Sequence, residues 1–71
     1  MIDYKIRKII DTVQQQLGVD TKVSIGKNVS GVWYCTIVTP PNTRTTRYFD
    51  LTEKYKVIVD KIVAPELLDR I

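Results

Sequence analysis

Along the first seventeen residues, apolar side chains return at helical intervals. Ile2, Ile6, Ile9, Val13 and Leu17 are separated by four, three, four and four residues, with Ile10 beside them, while Lys5, Lys8, Thr12 and Gln15 fall on the other side. That spacing predicts an amphipathic helix. Gly18 follows the last periodic residue and suits a left-handed C-cap, with Val19 placed to pack back onto the final turn. The period then changes to two: Val19, Thr21, Val23 and Ile25 alternate with Asp20, Lys22 and Ser24, as in a half-buried strand. Residues 26–31, bounded by Gly26 and Gly31, read as a turn. Residues 32–39 are β-branched and aromatic and predict a second strand, closed by Pro40-Pro41-Asn42. Residues 43–49 interleave Thr45, Thr46 and Tyr48 with Arg44 and Arg47 and predict a polar strand at the sheet edge.

Asp50-Leu51-Thr52-Glu53 places a capping oxygen three residues ahead of a carboxylate, which predicts a turn from strand into helix. Leu51, Tyr55, Ile58 and Ile62 continue at helical spacing. The run Tyr55-Lys56-Val57-Ile58-Val59 also suits a fourth strand, but cap and period together favour helix. Pro65 disfavours the α region at Ala64, so the helix is expected to stop there, with residues 65–68 opening a separate short turn. The chain therefore reads as one α+β domain over residues 1–71: α-β-β-β-α order, a three-stranded antiparallel meander with two helices packed on one face. The double-stranded-RNA-binding domain resembles it in element order alone. Where that family places several lysines at the start of its last helix, this chain has Glu53-Lys54-Tyr55-Lys56.

Composition narrows the chemistry. With 44% hydrophobic residues the 71-residue chain has the material for a core and does not resemble a disordered polymer. It has no His and one Cys, which excludes a disulfide framework, a Cys/His zinc site and a His-dependent triad. No Gly-rich phosphate loop and no dense acidic cluster occur, so neither cofactor, metal nor small-molecule substrate is expected, and the chain reads as a non-enzymatic binding or regulatory domain. Its size is that of accessory proteins of bacteria and phages. No signal-peptide core or membrane-spanning run follows the basic N-terminal residues, which predicts a cytoplasmic protein and no membrane partner. Asn28-Val29-Ser30 matches a glycosylation acceptor in form only. A chain this short buries a smaller fraction of its surface than a larger domain does, and a twofold homodimer is the simplest supplement.

The net charge of +3 is unevenly spread: the acid-free stretch from Thr21 to Phe49 contains Lys22, Lys27, Arg44 and Arg47, and the flanking segments together carry a small negative excess. An anionic partner should meet the middle of the chain.

The second strand is apolar on both rows. Val32, Tyr34, Thr36 and Val38 form one, Trp33, Cys35 and Ile37 the other, and helices on one face can cover only one of them. The uncovered row should be a contact surface. In one reading, bases of a nucleic acid stack on Trp33, Tyr34 or Tyr48 while Lys22, Lys27, Arg44 and Arg47 meet phosphates, the two arginines acting as a joint grip on one face. In the other, a second copy or another protein covers the stripe, with Trp33, Cys35 and Ile37 at the interface. Cys35 is otherwise a small buried hydrophobe. Lys5 and Lys8 read as a solvated helix face.

Overall fold

A computed structural model describes residues 2–69, with the side chain of Ile2 outside the described set. Helix α1 (Ile2–Leu17) leads into strands β1 (Lys22–Lys27), β2 (Trp33–Thr39) and β3 (Thr43–Phe49), and helix α2 (Tyr55–Asp69) ends the described chain. The strands form one antiparallel sheet in the order β1-β2-β3. Lys22 pairs with Val38 and Lys27 with Trp33 on one side of β2; Trp33 pairs with Phe49 and Thr39 with Thr43 on the other. This is the expected α-β-β-β-α meander, and residues 55–63 are helical, not a fourth strand.

Both helices lie on one face, α1 against β1 and α2 against β3. Ile9, Val13 and Leu17 of α1 meet Ile58, Val59, Ile62 and Val63 of α2 over Cys35, Ile37 and Phe49 of the sheet. The burial is a consequence of the two periods: α1 turns one residue in three or four toward the sheet, and β2 turns every second one. Cys35 and Ile37 are therefore in the core, and Tyr34, Thr36 and Val38 share the row that no helix covers. Among the described residues no helix is long and apolar enough to cross a membrane.

The connections depart from the sequence reading in several places. Gly18 has the expected left-handed backbone, φ +111°, and donates to the Gln14 carbonyl at 2.9 Å. Val19 does not pack back onto the helix; it is 91% exposed. Thr21 is buried instead, its hydroxyl donating to the Leu17 carbonyl at 3.3 Å while Gln14 Nε2 donates to the Thr21 carbonyl. A buried β-hydroxyl can bond the orphan carbonyls of a helix end, which valine cannot. Gly26 belongs to β1, opposite Tyr34, and the turn is confined to residues 28–32. There Asn28 Oδ1 accepts from the amides of Ser30 and Val32, and Gly31 takes φ +85°.

Before α2 the expected cap is a separate Asx turn. Asp50 Oδ1 accepts from the amide and hydroxyl of Thr52 at 2.9 and 2.7 Å. These bonds hold the Asp50 carboxyl below its ordinary value. Their contribution is complete above the ordinary carboxylate range and is lost as pH falls through the lowered value. Glu53 is paired with Lys61 at 2.7 Å. Of the two lysines expected on a solvated face, Lys8 is exposed, its Nζ 4.8 Å from the Tyr55 ring centroid, whereas Lys5 is partly buried and its Nζ donates to the carbonyls of Leu51 and Glu53, both at 2.6 Å. Thr12 is hydrogen-bonded to the Tyr55 hydroxyl. These contacts dock the start of α2 on α1.

Helix α2 also runs through Pro65 to Asp69 instead of stopping at Ala64. Proline removes one backbone donor and crowds the preceding turn. Beyond it, buried Glu66 is held by Arg47 of β3, Arg47 Nε and a terminal guanidinium nitrogen donating to Glu66 Oε1 at 3.3 and 3.1 Å. The tertiary ion pair keeps the last turn helical where local sterics favour a break.

Candidate functional site

Register assigns each candidate residue to one side of the sheet. On the open face three rungs cross all three strands: Gly26–Tyr34–Tyr48, Ser24–Thr36–Thr46 and Lys22–Val38–Arg44. One end is aromatic, the middle carries three hydroxyls, and the far end sets two cations around a valine. None of these nine residues is acidic. Lys22 and Arg44 lie two strand spacings apart, about 10 Å between backbones, and the cationic rung is four residues, or about 13 Å, from the aromatic one.

The aromatic end has a defined geometry. The Tyr34 and Tyr48 ring centroids are 6.3 Å apart with planes inclined at 64°, an edge-on contact. Tyr48 is 62% exposed, whereas Tyr34 is half-buried because its ring leans across β1. A Cβ at Gly26 would sit 2.8 Å from the Tyr34 hydroxyl oxygen and 3.0 Å from Cζ, closer than side chains approach. The missing side chain of Gly26 is what lets that ring lie down.

Of the seven candidate binding residues, Lys22, Tyr34, Arg44 and Tyr48 share the open face. Lys27, Trp33 and Arg47 belong to the other side. Trp33 packs against the core at the end of its row, with Lys27 Nζ 5.5 Å from its ring centroid. It is not available as a stacking platform on the uncovered row. Arg47 is turned toward α2, where it also reaches Asp69 at 3.5 Å. The joint grip of Arg44 and Arg47 does not form, since residues three apart on a strand face opposite ways. Nor do Trp33, Cys35 and Ile37 present a self-association surface: Cys35 and Ile37 are beneath the helices, with at most 1% of either exposed.

The sequence reading passed over Gly26 as part of a turn, although a lone glycine within an alternating run signals close approach of another group. It also gave no role to Ser24, Thr36 and Thr46, whose alignment depends on register.

The one thiol is withdrawn from chemistry. Burial, with the Glu66 carboxylate as the smaller cause, pushes Cys35 up from 9.0 to about 12. A thiol raised in this way is a poor nucleophile at neutral pH. Cys35 is expected to resist a disulfide reagent at pH 8 in the native protein and to react at the rate of a free thiol in denaturant. Fast native labelling would contradict its burial. The folded value exceeds the unfolded one, so the associated stability is present below pH 9 and is lost as pH rises from 9 toward 12.

No protein-family model, curated protein or solved structure matches this chain.

Proposed function

We propose that this chain is a small non-enzymatic binding domain that takes nucleic acid on the open face of its sheet, inside the cell. The observation that carries the reading is the composition of that face: two tyrosines at one end, Lys22 and Arg44 at the other, three hydroxyls between them and no acid. Cations meet phosphates, hydroxyls hydrogen-bond sugar and base edges, and aromatic rings stack on bases. The protonated, buried Cys35 fits a binding role in a reducing compartment.

The test is fluorescence anisotropy of labelled single- and double-stranded DNA and RNA at low and physiological salt. Binding should weaken as salt rises, because phosphate contacts release counterions. Replacing both Lys22 and Arg44 by alanine is expected to lower the slope of log K against log salt by roughly 1.4 on a single strand, at about 0.7 per lost contact. Arg47→Ala should leave the slope unchanged, since its guanidinium is engaged with Glu66 and Asp69. Equal slopes for the parent and the Lys22/Arg44 variant would remove the cations from the interface.

A second reading rests on the same face, where the adjacent Tyr34 and Tyr48 rings, Tyr48 largely exposed, offer a contact to another protein. A second copy or another protein seated there would give a mass that depends on concentration or partner, and no salt-sensitive uptake of oligonucleotides.

A further inference from the structure

We infer that Tyr34, laid down over Gly26, is a stacking platform for one unpaired base of a single-stranded nucleic acid, with Tyr48 as the side wall of the subsite. The inference rests on the nucleic-acid reading of the open face and adds the subsite and the strandedness. Its starting point is a glycine that the backbone does not require. Gly26 sits in mid-ladder opposite Tyr34, and the left-handed φ values among the glycines belong to Gly18 and Gly31. Glycine within a strand loses conformational freedom on folding and contributes no packing. What it does here is steric: the phenolic end of Tyr34 occupies the space where a Cβ would be, 2.8 Å from the hydroxyl oxygen.

With its phenolic end over Gly26 the Tyr34 side chain reaches across β1, and it is half-buried, so part of the ring still meets solvent on the open face. Tyr48, inclined at 64° and largely exposed, rises beside it and closes one side of a corner. Planar bases stack on such surfaces whatever their sequence, because every base has a π-face. A base inside a duplex has both faces covered by its neighbours, which restricts the occupant to a single strand or an unpaired end. The charge pattern favours the same occupant. From the corner the sheet offers the hydroxyls of Ser24, Thr36 and Thr46, then Lys22 and Arg44 about 13 Å away along β2, where the phosphates of adjoining nucleotides would lie.

The experiment compares a labelled single strand of about ten mixed nucleotides with an abasic strand of the same length, in DNA and RNA forms, by anisotropy at two salt concentrations. The parent should bind the base-bearing strand about tenfold or more tighter than the abasic one, the size of a single stacking contact. Tyr34→Leu retains an apolar cover for Gly26 but has no π-face, and should bring the two affinities together with the salt slope unchanged. Gly26→Val, which lifts the ring, should do the same, with circular dichroism confirming that the sheet persists. Arg44→Ala should lower the slope and preserve the preference for bases. If the parent binds both strands equally, the platform fails while the nucleic-acid reading stands. If Tyr34→Leu keeps the preference for bases, stacking occurs elsewhere and the assignment to Tyr34 is wrong. If the parent binds no strand even at low salt, both readings fall.

Discussion

Ile37→Asp is expected to unfold the domain. Ile37 is 1% exposed and packs in the core between sheet and helices, among apolar residues that offer a carboxylate no compensating charge. Burying an unpaired charge costs several kcal/mol even after relaxation, and the lost apolar contacts add to it. A domain of this length has roughly 4–10 kcal/mol to lose, at about 0.05–0.15 kcal/mol per residue. The expected result is a chain without a cooperative thermal transition and with Trp33 emission shifted toward that of exposed indole. The neighbouring substitution Thr36→Asp gives the contrast. Thr36 is on the open face, so an aspartate there should cost about 1 kcal/mol through strand propensity while weakening oligonucleotide binding by placing an acid among the cations. If Ile37→Asp instead remained folded and changed only the oligomeric mass, its row would be an interface and the assignment of faces would be reversed.

The second large effect concerns Arg47 and Glu66. The Glu66 side chain is 8% exposed and that of Arg47 28%, so the carboxylate depends on the arginine more than the reverse. Removing one partner of a buried pair leaves an uncompensated charge, at about 3–5 kcal/mol when both are fully buried. The partly solvated arginine reduces this to roughly 2–3 kcal/mol for Arg47→Ala, read as a lower urea midpoint. The double substitution of Arg47 and Glu66 by leucine should recover most of that loss, since well-packed apolar replacements of buried pairs are often neutral or stabilising. A double variant no more stable than Arg47→Ala would show that the pair contributes more than mutual charge compensation. Because the pair secures the turn after Pro65, Arg47→Ala should also lower the helical signal in proportion to that last turn of α2.

Local pattern accounts for most of what is legible in the sequence. Spacings of three and four over residues 2–17 and 51–62 and alternation over residues 19–25 predict three elements, and the β-branched, aromatic and turn composition of residues 32–49 supplies the other two strands. The opposite orientation of Arg44 and Arg47 is also contained in their spacing of three, and Gly26 carried the signal of a close approach. The facing of β2 was of another kind. Both its rows are apolar, so no local preference separates them, and the parity is set by the length of the β1–β2 turn. With residues 28–32 in the turn, Trp33 pairs with Lys27 and the Cys35 row joins Val23 and Ile25 under the helices. One residue more or less in that turn would have exchanged the rows, because the side-chain period of a strand is two.

The same distinction runs through the helices. Local sterics at Ala64-Pro65 argue for a break, and a contact 19 residues away in sequence, Arg47 with Glu66, overrides them. Lys5 looks solvated in one dimension because its partners, the carbonyls of Leu51 and Glu53, come from the other end of the chain. Element type follows from short-range pattern, which a single chain displays. Which face is left open, and therefore which tyrosines and cations are free to meet a partner, follows from register and helix docking, and those are settled by contacts between segments that are distant in the sequence.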